Sequence, residues 1–163
     1  MAEDRYAYYV IGVAALILFI LVDAYIVLPI QPKLVQSSAP TTNLVPTREI
    51  IIYGGPTPQG FGFGLSPDNI TTPGPTLRFK AGEVVKITFK NVGNIPHAFG
   101  IVSQVGDNPN ILFNSAIGRL SPLQPGEESS VVVQFNQVGE FYYQCLVPGH
   151  ADSGMWGEVV VES

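Results

Sequence analysis

The 163-residue sequence has few charged side chains and very few residues that can bind a transition metal. Charged residues make up only 13% of the chain, which contains one Cys, two His and two Met. The single Cys excludes an intramolecular disulfide, so its thiol is exposed, bridges to another molecule or binds a metal. The formal net charge of −5 disfavours nucleic-acid binding, which needs a basic surface.

Glycine and proline are abundant instead, with 17 and 14 residues, and together with the low charge they disfavour a helical bundle. Residues 83–90 alternate, with Val85, Ile87 and Phe89 on one face, as expected of a half-buried strand. Further strands are predicted at 130–135, 140–144 and 157–162, with Pro-Gly and other turn signals between the predicted strands. Short strands at this spacing predict an all-β Greek-key sandwich or barrel over 48–163.

The longest apolar run covers residues 6–28 and carries a single charge, Asp23. This length predicts one transmembrane helix, so residues 1–30 are interpreted as a membrane anchor. A cleaved signal peptide and a buried helix of a soluble domain are the alternatives, although Pro40 disfavours cleavage after the small residues 37–39. Residues 31–47, with three Pro among Ser, Thr and Asn, are predicted to form an extended linker.

Four residues carry the chemistry: His97, Cys145, His150 and Met155. Apart from the initiating Met1, they are all the His, Cys and Met residues of the chain, and the last three follow the pattern Cys-x4-His-x4-Met. Cys145, His150 and Met155 lie between the predicted strands 140–144 and 157–162, and His97 follows the strand at 83–90. One loop between adjacent strands can therefore bring three donors to one end of a sandwich, where His97 supplies the fourth.

Copper chemistry explains these residue types. One thiolate and two imidazoles in a trigonal array suit both Cu(I) and Cu(II), and a weak axial thioether tunes the potential. Each residue alone has an ordinary explanation, since a buried Cys is usually a small apolar filler and a lone His is usually structural. Zinc is the competing metal, but structural zinc sites rarely use Met. The joint pattern predicts one type 1 copper ion.

The segment from Phe141 to Val161, FYYQCLVPGHADSGMWGEVVV, resembles the copper-binding loop of the cupredoxin family, most closely sulfocyanin and rusticyanin. Residues 73–83, PGPTLRFKAGE, resemble the strand that precedes the first ligand in that family. The resemblance covers the chain from Arg48 onward. It implies His97, Cys145, His150 and Met155 as copper ligands and a role in respiratory chains of acidophiles.

The sequence departs from that pattern at Ala98, where many of these proteins have an Asn or Ser that tethers the two ligand loops. An Ala side chain cannot form such a hydrogen bond. Hydrogen bonds around a metal site tune its redox potential, so this position affects the expected potential and not the expected copper binding.

The expected function is therefore that of a membrane-anchored electron carrier and not of an enzyme. It would exchange single electrons with partners such as cytochromes or a terminal oxidase, with no small-molecule substrate, at the extracytoplasmic face of the cell membrane. That orientation is inferred from the expected redox chemistry. The positive-inside rule gives no clear orientation, since Arg5 and Lys33 lie on opposite sides of the apolar run. His150, in the middle of its loop, is expected to be the ligand nearest the surface.

Three alternatives remain open from the sequence. The domain could be a docked or accessory subunit of a terminal oxidase complex, since an anchor followed by a cupredoxin domain is the arrangement of one oxidase subunit. It could instead bind copper without transferring electrons, as a chaperone or storage protein. Finally, it could be a metal-free interaction domain. A single Cys excludes the dinuclear copper site, and two His are too few for a trinuclear one.

Overall fold

Nine strands form the regular secondary structure of residues 44–163, the part of the chain that the computed structural model describes. They are β1 (Arg48–Thr57), β2 (Gly60–Gly64), β3 (Ile70–Thr71), β4 (Leu77–Lys80), β5 (Val84–Asn91), β6 (Gly100–Val102), β7 (Glu128–Gln134), β8 (Gly139–Gln144) and β9 (Trp156–Glu162). The four strands predicted from the sequence correspond to β5, β7, β8 and β9, with bounds that differ by at most two residues. The all-β prediction is confirmed for these residues.

The predicted anchor at 1–30 and the first part of the predicted linker, residues 31–43, lie outside the described residues. Among residues 44–163, no helix has the length and apolar character needed to cross a membrane. The predicted domain boundaries at 30 and 47 remain predictions.

The strands form two sheets with the orders β3-β2-β1-β5-β7 and β4-β9-β8-β6. Each sheet contains one parallel pair, β1 with β5 and β4 with β9, among antiparallel neighbours. Apolar side chains from both sheets meet in one core, whose largest fully buried members are Tyr143, Phe63, Phe89, Phe99, Phe135, Ile52, Ile87 and Ile101. The fold is therefore a two-sheet sandwich with an aromatic interior.

Strand β5 shows how the sequence produces this arrangement. Val85, Ile87 and Phe89 are completely buried, while the residues between them are partly exposed on the outer face. Burying a side chain of this size contributes about 1.5–3 kcal/mol, so a register shift by one residue would cost several times that amount. The next inward position belongs to Asn91, a polar residue that is also completely buried.

Glycines in β2 allow the edge of the first sheet to close tightly. A Cβ atom on Gly62 would overlap the Thr71 carbonyl of the neighbouring strand β3, and one on Gly64 would overlap the carbonyl of Asn69. The alternating Gly residues therefore permit close strand approach and leave Phe61 and Phe63 as the large side chains of β2. Phe63 enters the core, and Phe61 lies at the end of the strand next to the hairpin turn.

Three chain segments meet at one end of the sandwich. They are the β1–β2 turn with Phe61 (residues 58–61), the segment after β5 (92–98) and the segment between β8 and β9 (145–155), which we call together the donor end. The ring of Phe61 contacts the imidazole rings of both His97 and His150, with centroid distances of 5.2 and 4.9 Å. All four predicted ligands lie in the last two of these segments.

Candidate metal centre

Backbone hydrogen bonds fix the two segments that carry the predicted ligands. His97 pairs with Leu123 in a short antiparallel bridge, through N–H···O distances of 3.1 and 2.9 Å. In the other segment the Cys145 amide donates to the Met155 carbonyl and the Met155 amide donates to the His150 carbonyl, both at 3.0 Å. Three predicted ligands are therefore bonded to one another through the backbone, independently of any metal.

The structure brings His97, Cys145 and His150 into one cluster. The Nδ1 atoms of the two imidazoles are 3.2 Å apart, and the Cys145 Sγ lies 3.4 Å from Nδ1 of His150 and 4.0 Å from Nδ1 of His97. The three donor atoms thus form a compact triangle, with both rings turned so that the same type of nitrogen faces the sulfur.

The size of this triangle fits a metal ion at its centre. With bonds of about 2.0 Å to nitrogen and about 2.3 Å to sulfur, a planar trigonal site has donor–donor distances of about 3.5 and 3.7 Å. The observed distances of 3.2, 3.4 and 4.0 Å bracket these values. A thiolate and two imidazoles in a trigonal array are the donors of type 1 copper sites.

Burial differs among the four residues in a way that matters for access. Cys145, Met155 and His97 have no exposed surface, whereas His150 is partly exposed. The prediction that His150 lies nearest the surface is confirmed. A metal ion held by this cluster would be enclosed by protein except along the edge of one imidazole.

Met155 occupies the core side of the donor end. Its side chain lies against β1, where a Cβ atom on Gly54 would come within 3.0 Å of the Met155 methyl group. The same added atom would lie 2.7 Å from the Phe89 ring, so only glycine fits at this position without displacing a neighbour. Gly54 therefore provides the space in which Met155 and Phe89 pack.

The thiol of Cys145 sits in an environment with opposing effects on its charge. Burial raises the pKa of the thiol, while hydrogen bonds from the backbone amides of Ala98 and Val147 act to lower that pKa. The Ala98 amide nitrogen is 3.3 Å from Sγ. Ala98, whose side chain cannot tether the two loops, therefore links them through its backbone. A bound cation would supply the remaining stabilisation that the thiolate needs.

His97 is held in its neutral form. Burial, followed by the nearby His150, lowers the pKa of its imidazole to about 4. Its Nε2 atom is enclosed and has no hydrogen-bond partner within residues 44–163. Burial likewise lowers the pKa of His150. Neutral imidazoles are the form that binds metals, so the fold holds both rings in a state ready for a cation.

The stability of the metal-free protein is expected to fall with decreasing pH between 7.5 and 5. The unfolded chain protonates His97 near its ordinary pKa of 6.5, whereas the folded chain does so only near pH 4, so in this window the unfolded state binds more protons. The free energy of unfolding should be about 2 kcal/mol lower at pH 5 than at pH 7.5. Urea unfolding at the two pH values measures this difference.

A His97→Gln variant is the control for that experiment. It removes the His97 imidazole and its contribution of about 2 kcal/mol, so only the pH dependence that arises from the lowered pKa of His150 should remain. Equal unfolding free energies of the unsubstituted metal-free protein at the two pH values would contradict the assignment of a buried neutral His97.

Sequence reasoning missed Asn91, which organises the segment leading to His97. Its side-chain amide donates to the carbonyls of Ile95 and Leu123, both at 2.8 Å, and its side-chain oxygen accepts from the Gly93 amide at 2.8 Å. Every polar atom of this buried side chain is thus used to shape one turn. A signal was available, because Asn91 is a polar residue at an inward position of the alternating strand β5.

Phe61 was also missed. Its ring stacks on His150 with an interplanar angle of 28° and meets His97 edge-on at 65°. It therefore covers the partly exposed imidazole from the side of β2. Nothing in the repeat of Gly and Phe in residues 60–64 connects it to residues 97 and 150, which are distant in the sequence.

A family model described as the sulfocyanin (SoxE) domain matches residues 68–163, more than half of the chain and a range that includes all four predicted ligands. The chain belongs to the sulfocyanin family. The resemblance seen in the copper-binding loop is thereby confirmed, and the donor set of this sulfocyanin domain fits one type 1 copper ion.

Curated relatives of this sulfocyanin domain are copper proteins of several kinds. The copper-resistant cuproprotein CopI of Rubrivivax gelatinosus is 30% identical over 93 residues, covering 53% of this chain and 56% of that protein. Rusticyanin of Acidithiobacillus ferrooxidans is 34% identical over 95 residues, covering 54% and 61%. A copper-containing nitrite reductase of Alcaligenes xylosoxydans xylosoxydans is 30% identical over 104 residues, covering 57% and 28%. The matched part of the chain thus spans between about a quarter and three fifths of the length of these relatives.

Solved structures show the same fold. Auracyanin B superposes with a TM-score of 0.54 and 22% identity over 74% of this chain and 93% of its own. At this level of identity the likeness concerns the fold alone, and it confirms a cupredoxin sandwich for the described part of the sulfocyanin chain.

Proposed function

We propose that this sulfocyanin is a membrane-anchored, mononuclear blue copper protein that carries single electrons between components of a respiratory chain at the outer face of the membrane. In this proposal His97, Cys145, His150 and Met155 bind the copper ion. A bound copper ion would supply the one-electron redox couple. The protein would not be an enzyme, and its partners would be redox proteins such as cytochromes or a terminal oxidase.

The observation that carries the proposal is the triangle of Nδ1 of His97, Nδ1 of His150 and Sγ of Cys145, with edges of 3.2, 3.4 and 4.0 Å. Its supports are rigid, because buried hydrogen bonds of Asn91 hold one loop and backbone bonds among residues 145, 150 and 155 hold the other. Rigid supports keep the donors in place when the charge of the site changes, and a small rearrangement makes electron transfer fast.

The number of histidines favours an electron carrier over a copper enzyme. The 163-residue chain has two His, and both are used in the proposed site. A second copper centre built from imidazoles, as a reductase or oxidase would need, has no donors left. The proposed fourth donor, Met155, is enclosed in the core. This set of residues offers a path for electrons through the partly exposed edge of His150.

Spectroscopy of the 163-residue chain in detergent, loaded with Cu(II), tests the copper site. We expect an intense visible band from thiolate-to-copper charge transfer and a narrow copper hyperfine splitting in the paramagnetic resonance spectrum, at one copper per chain. A colourless protein without stoichiometric copper would refute the proposal. Stopped-flow reduction by a c-type cytochrome then measures electron exchange.

A Val147→Lys substitution is expected to slow that exchange without changing the spectrum. Val147 is partly buried beside the exposed Pro148, three residues before the exposed edge of His150, so an ammonium group there would disturb an apolar docking surface. Of the other apolar residues near His150, Leu146 packs against Gly100 and Ala151 is buried, so neither is a better site for this test. We expect the second-order rate to fall about 10-fold, the lower end of the variation in association rate among variants of one interface.

Leu65→Lys is the matched control. Leu65 is also an exposed apolar residue, but it follows the end of β2 opposite to Phe61 and the donor end. Its substitution should leave the exchange rate unchanged. Equal rates for the two Lys variants at every salt concentration would exclude the proposed docking surface.

Detergent-phase partitioning tests the proposed anchor. The 163-residue chain should enter the detergent-rich phase, and a chain that begins at Ser37 should remain in the aqueous phase, because residues 6–28 are long and apolar enough to span a bilayer. Protease added to intact cells should then remove the copper domain if it faces outward. Recovery of the complete chain in the aqueous phase would refute anchoring, and protection from protease would refute the outward orientation.

Copper binding without electron transfer is the second candidate. The similarity to a copper-resistant cuproprotein favours it. The two candidates differ in kinetics: a storage or resistance protein has no need of rapid electron exchange. A blue, stoichiometric site that exchanges electrons with neither cytochromes nor oxidase preparations would support this second function.

A further inference from the structure

The loop after β6 reaches back to the segment that carries three of the proposed ligands. Its base is closed by a hydrogen bond from the Ser103 amide to the Asn110 carbonyl at 3.2 Å. At its tip, the Gly106 amide donates to the side-chain oxygen of Gln144 at 2.9 Å, and the Gln144 side-chain nitrogen donates to the Gly106 carbonyl at 2.7 Å. Gln144 is almost completely buried and directly precedes Cys145. This two-bond clamp anchors the loop tip beside the ligand segment.

The residue next to the clamp, Asp107, makes a second contact. Its Oδ1 accepts a hydrogen bond from the Gly149 amide at 3.1 Å. Asp107 is exposed, so this contact is not required to satisfy a buried carboxylate. The contact instead restrains Gly149, the residue directly before His150.

Gly149 belongs to a tight turn that delivers His150. The His150 amide donates to the Val147 carbonyl at 3.2 Å, Pro148 is the second residue of the turn, and Gly149 is the third with a φ of +78°. Pro at the second position and a positive φ at the third are the features of a type II turn. Types I and II differ by a flip of the central peptide, whose N–H is that of Gly149. A hydrogen bond to this N–H in its present orientation favours the type II form.

Among the four proposed ligands, His150 is the one whose position depends most on a local turn. His97, Cys145 and Met155 are enclosed by the core, whereas His150 is only partly buried. Stacking with Phe61 restrains its ring from one side. The backbone of His150 is held at its carbonyl by the Met155 amide and at its amide by the turn, and the central peptide of the turn is held by Asp107.

We propose that Asp107 is a positioning residue for His150, acting through the Gly149 amide to keep the turn at 147–150 in the type II form that directs the imidazole toward Cys145. The inference rests on the proposed ligand role of His150. Gln144 serves the same arrangement by fixing the loop tip from which Asp107 reaches the turn.

The test compares Asp107→Ala, Asp107→Asn and Asn108→Ala in the complete chain. Asn keeps an acceptor oxygen at the same place, so it should restore most of what Ala loses. Asn108 is an exposed neighbour whose side chain makes no hydrogen bond within residues 44–163, so its substitution controls for general loosening of the loop. Amide hydrogen exchange is measured in the metal-free protein, and copper release to excess chelator is measured in the loaded protein.

In the Asp107→Ala variant the Gly149 amide hydrogen should exchange with solvent about 5-fold faster, because one hydrogen bond is lost. Copper release should be about 10-fold faster, the lower end of the effect of residues that orient metal ligands. Asp107→Asn and Asn108→Ala should remain within about 2-fold of the unsubstituted protein. Copper release at the unsubstituted rate from Asp107→Ala, or equal acceleration in all three variants, would overturn the proposal. Absence of copper from the unsubstituted chain would instead refute the proposed function, while the exchange measurement would still report on the contact between Asp107 and Gly149.

Discussion

A Cys145→Ser variant of this sulfocyanin is expected to lose its visible absorption completely and to bind copper at least about 100-fold more weakly, since residues that only orient ligands already contribute up to that factor. The band depends on charge transfer from a thiolate, and a serine hydroxyl is neither soft nor ionised at neutral pH. Cys145 is the single Cys of the chain, so no other residue can replace it. Absorption spectra and copper titration of the loaded protein measure both effects.

The metal-free Cys145→Ser variant provides the control for folding. The side chain is buried and accepts a hydrogen bond from the Ala98 amide at 3.3 Å, an interaction that a hydroxyl oxygen can keep. Its free energy of unfolding should therefore fall by about 1 kcal/mol, the typical cost of a single substitution, and the variant should stay folded. A folded variant that retains an intense visible band would refute the ligand role of Cys145.

Replacing Asn91 by Ala is expected to lower the free energy of unfolding by about 3 kcal/mol and the melting temperature by about 10 °C. The change removes three hydrogen bonds of 2.8 Å and leaves the Gly93 amide and the Ile95 carbonyl without their partner inside the protein. An unpaired buried polar group costs about 1–3 kcal/mol, and water entering the space left by the side chain recovers part of it. Thermal unfolding followed by circular dichroism measures the loss.

The same substitution should release copper faster, because Asn91 shapes the segment that carries His97. Asn94→Ala is the matched control: Asn94 lies in the same segment, is exposed, and its side chain makes no hydrogen bond within the described part of the chain. It should leave both stability and copper release nearly unchanged. If Asn91→Ala melted at the same temperature as Asn94→Ala, the hydrogen bonds of Asn91 would not stabilise the fold as we infer.

The strands that could be predicted are those whose own sequence carries an alternating pattern. Val85, Ile87 and Phe89 in β5 and the apolar residues of β8 and β9 alternate because one face of each strand meets the core. Strands β2, β3, β4 and β6 have two to five residues each, too few for a pattern. In β1, the run Ile50–Ile52 and two glycines hide the alternation, since burial there depends on which strands lie beside it.

The types of donor in the proposed site can be predicted from the amino-acid composition and spacing alone. The chain contains one Cys and two His, and the spacing Cys-x4-His-x4-Met places three of the four donors in one short segment between two strands. This pattern predicts a single metal site with sulfur and imidazole donors. The residues that orient those donors can be identified only in the folded chain. Phe61 in β2 contacts His150 in the segment between β8 and β9, and Asp107 contacts Gly149, 42 residues away, so only strand pairing and loop folding create these contacts. Asn91 is a partial exception, because its inward position in β5 is visible in the local pattern, although its bond to Leu123 spans 32 residues. The type of each donor is a property of a single residue and can be seen in the sequence. The residues that orient the donors come close to them only when distant segments pack together, and a local sequence pattern does not encode that packing.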